Sequence, residues 1–516
     1  MEENNYVRNI ADLFNPIEGY CIEYVVATTF SLDAVVALAL IKYIYDDSVF
    51  FSRTKVLNDA LTHDKLRIFY QKDKFSSRLC RESNEQIYID KILSKVCIPV
   101  EVEKGYCFHP KITLICFKND NRYIYRLGIA SKNLSLSKMN EVIVVDETEP
   151  VEQYRPIADL NDVNKLIDFI KILCFENMHV IFQGKDSKDS ISVYEAMELD
   201  KVSRMIAISP GFDSTECMFR RRFNSEEIEF WYNESSHTKM YFLEKHDGKN
   251  EIWAGSSNCT ANGLGFSEHH NYECMARVYT DTKWEGFQEA IKDNGYKRID
   301  INNLPQYEGS EFDSSGLEAF INSITETKME IQQKNEDSGL YECTLKISSS
   351  ADEKDIKAVQ CIFCGGTVDV ENENDNNYKY KCISDGKSVS NIVIFQKKDK
   401  NNSLISRSVI ADIDKINLDL YNTIFEGIKK KNPIHTDEKL LDEVIKTDLS
   451  EKRSGNVNGG GNKTVSASSD DCIYEKLIAA CIQNFDRLED LKKLCNDESI
   501  QEKIQAIIVD KSKIED

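Results

Sequence analysis

Two short segments, His109-Pro110-Lys111 and His237-Thr238-Lys239, combine the residue types that phosphate-ester cleavage needs. An imidazole can attack phosphorus or hand a proton to a departing oxygen, and a nearby ammonium offsets the anionic oxygens that otherwise repel the nucleophile. With eight histidines and 65 Lys plus Arg, chance alone supplies about one such pair, and His63-Asp64-Lys65 is a third instance. Context sets the first two apart. Ser131, in Ala130-Ser131-Lys132-Asn133, follows His109 by 22 residues, and Ser256, in Gly255-Ser256-Ser257-Asn258, follows His237 by 19. Glu141 comes after the first block and Glu273 after the second, while nothing comparable follows His63. Four residue types recurring in one order mark an internal duplication.

The elements that must carry these residues repeat as well. Ile22 to Ala27 predicts a buried strand and Leu32 to Tyr45 a helix capped by Ser31; Met205 to Ser209 and a helix from Asp213 through Arg222 repeat that plan. Each copy then predicts a hairpin: Phe108–Phe117 turning at Asn119-Asp120-Asn121 into Tyr123–Ala130, and Thr238–Leu243 turning at Asp247-Gly248 into Glu251–Ala254. Each His-Lys pair begins its hairpin strand in this reading, so both side chains project from one face. Closing strands follow at Val142–Val145 and Tyr272–Val278, and apolar spacing from Leu160 to Leu173 predicts a helix joining the copies.

This arrangement resembles the phospholipase D superfamily, whose members build one site from two His-Lys motifs around a pseudo-twofold axis. The resemblance covers roughly residues 20 to 280. It departs where the family has an Asp five residues after each Lys, since Cys116 and Glu244 stand there. That loss is more similar to tyrosyl-DNA phosphodiesterases and to metal-independent restriction endonucleases of the superfamily than to phospholipases, and His237-Thr238-Lys239-Met240 resembles the tyrosyl-DNA phosphodiesterase form. The resemblance implies His109 as nucleophile, forming a phosphohistidine, and His237 as leaving-group acid. Lys111, Lys239, Asn133 and Asn258 would then hold the phosphate, with Glu141 and Glu273 orienting the imidazoles. Ser131, Ser256 and Ser257 are candidate substrate-binding residues. Arg220-Arg221-Arg222 could contact phosphates or simply offset a helix dipole. Two lysines already supply positive charge, so no metal or other cofactor is expected.

Composition bounds the rest. At 516 residues and 41% hydrophobic, the chain suggests several globular cores, and no apolar run approaches the roughly 20 residues of a membrane span. Its start lacks a signal-peptide pattern, which with the scattered cysteines predicts a cytoplasmic protein with reduced thiols. A net charge of −22 repels polyanions globally, so nucleic-acid binding must use a local basic surface. The expected architecture is α/β: two phospholipase-D-like lobes related by pseudo-twofold symmetry, at 1–155 and 156–300 with its connecting helix. A β-rich and helical accessory domain at 301–450 follows, opening with a helix from Leu317 to Gln333 and including helices at Leu418–Lys430 and Leu440–Thr447. A glycine-serine linker at 451–470 then leads to a helical docking segment at 471–516. In the accessory domain, Cys361-Ile362-Phe363-Cys364 with Cys343 and Cys382 could bind zinc, although thiols packed among strands are the plainer reading. The expected function is a metal-independent nuclease acting on DNA rather than RNA, in restriction or phage defence. A helicase or ATPase is a candidate partner through the C-terminal region, and oligomerisation is open. Repair of protein-DNA adducts is the alternative, followed by a phospholipase or an inactive binding module.

Overall fold

A computed structural model of the chain describes residues 6–7, 13–45, 59–77, 86–103, 105–135, 142–184, 191–212, 219, 223, 227–266, 270–300, 316–335, 338–368, 370–374, 376–398, 402 and 404–431. The expected helices at Asp213–Arg222 and Leu440–Thr447, the linker and the docking segment fall outside these residues, except for Phe219 within the first. The described chain is mixed α/β with several sheets and divides into two units.

The first unit takes in Met1–Ser31, Asp64–Gln71 and Pro99–Ser310, and it holds both His-Lys pairs. Seven strands of its first sheet are β1 (Tyr6–Val7), β2 (Cys21–Thr29), β3 (Leu66–Gln71), β4 (Cys97–Val100), β5 (Ile112–Asn119), β6 (Arg122–Ala130) and β7 (Ile143–Glu147), in the order β1-β7-β6-β5-β2-β3-β4. A second sheet comprises β8 (His179–Gln183), β9 (Val202–Ile208), β10 (Ile228–Tyr232), β11 (Met240–Lys245), β12 (Asn250–Gly255), β13 (Glu273–Thr280) and β14 (Lys297–Ile299), in the order β8-β13-β12-β11-β9-β10-β14. Six strands of each sheet follow the same order; the last edge strand does not, since β4 lies between β3 and β5 in the chain whereas β14 follows β13. Each sheet also places a parallel pair, β2 with β3 and β9 with β10, beside a run of antiparallel neighbours.

Period-two alternation explains how the second sheet is covered on both faces. Met205, Ala207, Tyr241, Leu243 and Trp253 pack on one side, while Ile206, Ile208, Phe242 and Ile252 pack on the other against Trp284, Phe287 and Ile291 of the helix Trp284–Asp293. Phe242 stacks on Phe287 at 4.6 Å between ring centres. The hairpin turns sit where expected, with Asp120 at φ 48° in one and Gly248 at φ 80° in the other, a left-handed backbone that suits Asp and Gly. The joining helix runs Val163–Ile172, capped by Asp162, and buries Leu166, Phe169 and Ile170.

The second unit comprises Leu32–His63, Lys72–Ile98 and Glu311–Asp516, a division that cuts across the consecutive segments expected from sequence. Its helices include Ala34–Tyr45, Gln86–Val96, Leu317–Ser323 and Lys415–Lys431. One core joins Ile87 and Tyr88 of the second helix to Leu317, Phe320, Met329, Leu345, Phe395 and Tyr421. The helix expected from Leu317 to Gln333 stops at Ser323, and Ile324–Asn335 is a strand. The reason is a period of two: Thr327, Met329 and Ile331 are buried and the charged residues between them are not, a pattern that overrides the helix-favouring Glu, Lys and Gln content. Leu32 and Asp33, expected to be helical, instead pair with Phe75 and Ser76. Among the described residues, no helix is long and apolar enough to cross a membrane.

Candidate active site

The His-Lys pairs do not begin the hairpin strands. Both lie on extended chain just ahead of them, since β5 starts at Ile112 and β11 at Met240. The strand geometry instead fixes the serines at the far end of each hairpin, through bonds that recur in both sheets. Ala130 N–H donates to Lys111 O at 2.8 Å, as Gly255 does to Lys239 O at 3.2 Å. Ser131 N–H donates to Val142 O at 3.1 Å, as Ser256 does to Cys274 O at 3.0 Å. The two serine hydroxyls accept from Val142 N–H at 3.1 Å and Cys274 N–H at 2.9 Å. Ser131 and Ser256 are thus fully buried clasps rather than open surface residues, and by position Glu141 corresponds to Glu273.

Two further residues escaped sequence reasoning. Thr29, at the end of β2, donates its hydroxyl to Ser31 O at 2.8 Å and accepts from Leu134 N–H at 2.9 Å. Ser209, just past β9, donates to Gly211 O at 2.7 Å and accepts from Cys259 N–H at 3.1 Å. Each hydroxyl ties the end of a central strand to the residue after the site asparagine. The signal available in sequence was a hydroxyl residue at the end of an apolar strand in both copies. Gly255 is required by close approach, because a Cβ there would lie 2.3 Å from Cys274 O.

These clasps bring the pairs together from the two sheets. His109 N–H donates to Tyr272 O at 3.0 Å, and Tyr272 N–H to Cys107 O at 2.8 Å, so the segment carrying His109 pairs with the start of β13. His109 Nδ1 faces both oxygens of Glu273 at 3.0 and 2.9 Å, with both side chains buried. Glu273 also accepts from Asn271 Nδ2 at 3.0 Å and from the Ser256 hydroxyl. Burial pushes this carboxyl up, but His109 and Lys111 and the hydrogen bonds from His109 and Ser256 outweigh it and hold Glu273 below its ordinary value, so it is ionised at neutral pH. An ionised acceptor at Nδ1 orients the ring with a proton on that nitrogen and turns Nε2 away from the carboxylate.

His237 is held differently. Its Nδ1 lies 2.9 Å from Ser131 O and 2.6 Å from Lys239 Nζ. Lys239 and Lys111 are both buried, and each curls back so that Nζ donates to the carbonyl of its own histidine, at 3.0 and 2.9 Å. Lys239 Nζ also reaches Ser131 O at 3.1 Å. The carbonyl partners satisfy N–H groups that burial would otherwise leave unpaired and fix where each Nζ sits. Asn258 is buried, and its Oδ1 has no hydrogen-bond partner among the described residues; Asn133 Oδ1 accepts from Phe30 N–H at 3.3 Å. Ser257 is buried and donates to Gly263 O at 2.7 Å, a structural bond inside the loop. Glu141 and Arg220, Arg221 and Arg222 lie outside the described residues.

The residues five positions after each lysine, Cys116 and Glu244, make contacts of their own. Cys116 is buried beside Tyr24 and Tyr125, and burial pushes its thiol up to about 12. Glu244 receives Arg204 Nε and Nη2 at 2.5 and 2.9 Å.

No family model matches the chain, and no curated protein does. Among solved structures, a yeast tyrosyl-DNA phosphodiesterase mutant is similar at a TM-score of 0.34 and 11% identity, covering 51% of this chain and 83% of that one. A phosphatidylserine synthase from Haemophilus influenzae Rd KW20 is similar at 0.31 and 8%, covering 58% and 92%. At these values neither likeness bears on the chemistry of this chain.

Proposed function

We propose that the chain is a phosphodiesterase of the phospholipase D type, with two pseudo-twofold-related lobes sharing one site, and that its substrate is DNA. The observation that carries this reading is the His109–Glu273 pair: a buried imidazole from one copy of the motif, oriented by an ionised carboxylate from the other. Attack by His109 Nε2 on phosphorus forms an N–P bond and breaks the bond to the leaving oxygen, which takes a proton from His237. Water, deprotonated by His237, then releases His109. Lys111 and Lys239 offset the phosphate charge, and the Asn133 and Asn258 amides orient its oxygens.

A buried thiol at Cys116 and an Arg204-paired carboxylate at Glu244, where the resembled phospholipases carry Asp, favour a nuclease over a lipid enzyme, and restriction or phage defence is the setting that a long accessory unit suits. The His237-Thr238-Lys239-Met240 segment keeps adduct repair as a second reading. Labelled single- and double-stranded DNA, RNA, a 3′-tyrosyl oligonucleotide and a phospholipid, each incubated with and without chelator, separate these classes. Cleavage of plain DNA in chelator is expected. Loss of cleavage that magnesium restores, with thermal unfolding unchanged throughout, would point to metal-assisted hydrolysis instead.

A further inference from the structure

The second unit carries a cluster of sulfur that the phosphodiesterase chemistry does not use. Cys343 lies on the strand Leu340–Ser349 and Cys382 on the neighbouring strand Asn377–Asp385, directly opposite one another in the antiparallel register of the five-stranded sheet. Cys364 comes from elsewhere, at the turn between strands Gln360–Phe363 and Gly366–Val368 of the four-stranded sheet. The turn is tight, with Cys364 at φ 48° and Gly365 at φ 83°. All three Sγ atoms lie within 4.8 Å of one another. Of the four cysteines that sequence grouped together, Cys361 is not part of this cluster.

We propose that Cys343, Cys364 and Cys382 bind one zinc ion that staples the two sheets of this unit, with the fourth coordination position open on the Cys382 side. Zinc–thiolate bonds of about 2.3 Å in a tetrahedral arrangement set sulfurs about 3.8 Å apart, so the observed cluster needs shifts of an ångström or less. Three convergent sulfurs fit a metal better than a disulfide, which uses two and leaves the third without purpose. A soft all-sulfur donor set selects zinc over magnesium or calcium. Outer-shell support is already in place: Ser390 N–H donates to Cys364 Sγ at 3.4 Å, a bond that strengthens when the sulfur is a thiolate. Cys343 and Cys364 are buried and Cys382 is half-buried, which gives a water or other small ligand access from one side. Binding releases the remaining thiol protons, so no oxidant is involved.

The test uses the full chain, expressed with added zinc and purified anaerobically under reducing conditions without chelator. Elemental analysis should find about one zinc per chain, and cadmium exchange should produce ultraviolet thiolate-to-metal charge-transfer absorption. Cys382→Ser should weaken zinc binding at least about tenfold, whereas Cys174→Ser, at an exposed cysteine, should leave it unchanged. Stripping zinc should lower the unfolding temperature of the wild type. Zinc below about 0.1 per chain with no charge-transfer band, or a Cys343–Cys382 disulfide in the anaerobic protein, would overturn the proposal. Because the wild-type spectrum needs no variant, a misfolded Cys382→Ser protein would not blunt the test.

Discussion

Replacing Glu273 with Gln keeps the side-chain shape and removes one charge, so it isolates what the carboxylate does for His109. As Nε2 attacks phosphorus, the neutral ring becomes a phosphoimidazolium, and a carboxylate 2.9 Å from Nδ1 stabilises the positive charge as it develops. A unit charge pair at about 4 Å in an effective dielectric of about 20 is worth about 4 kcal/mol, and a transition state with half or more of that charge realises about 2 to 4 kcal/mol. The turnover number should therefore fall about 30- to 1000-fold. KM should change little, because both Glu273 oxygens are taken up by His109, Asn271 and Ser256. Thymidine 5′-p-nitrophenyl phosphate is a suitable substrate, since its leaving group departs without a proton and attack by His109 then dominates the rate. The comparison is valid only if the variant folds, which circular dichroism and thermal unfolding establish. A folded Glu273→Gln protein with a turnover number within about threefold of wild type would refute the reasoning.

The same carboxylate makes stability depend on pH. Its folded value lies below the ordinary 4.5, so its contribution is present above that value and is lost as pH falls through the folded one. Wild type should lose more stability on acidification from about pH 5 to 3 than Glu273→Gln does, and parallel denaturation curves would contradict this. Ser209→Ala removes the hydroxyl that satisfies Cys259 N–H and should cost about 1 to 3 kcal/mol by urea denaturation, with a drop in turnover because Asn258 is the adjacent residue. His237→Ala should retain attack on the p-nitrophenyl substrate while losing cleavage of DNA, whose leaving alkoxide needs a proton; equal loss on both would remove His237 from the acid role.

Much of the candidate site was legible because strands impose fixed geometry on residues near in sequence. The spacing from His to Ser is the length of a hairpin, so two similar spacings imply two similar hairpins, and six strands of each sheet follow the same order. The features that sequence could not show depend on contacts between distant segments. The pairing of His109 with Glu273 joins residues 164 apart, from different copies of the motif. Lys111 and Lys239 curl back onto their own histidines' carbonyls, a rotamer choice that pattern reading does not reach. The strand Ile324–Asn335 was hidden by its Glu, Lys and Gln content, although Thr327, Met329 and Ile331 already alternated. Residues 32–63 and 72–98 share a unit with the C-terminal third because of core packing such as Tyr88 with Phe425, 4.4 Å between ring centres, which no local signal announces.

The central claim, nucleophilic attack by His109, is tested most directly by trapping the covalent intermediate. Brief reaction with a p-nitrophenyl phosphodiester, quenching in alkali to preserve the acid-labile N–P bond, and peptide mapping by mass spectrometry locate the modified residue. The account predicts a nucleotidyl adduct on the peptide containing His109, absent from His109→Ala and increased in His237→Ala, where water activation is impaired. An adduct on the His237 peptide alone, or rapid turnover with no adduct on either histidine, would contradict it.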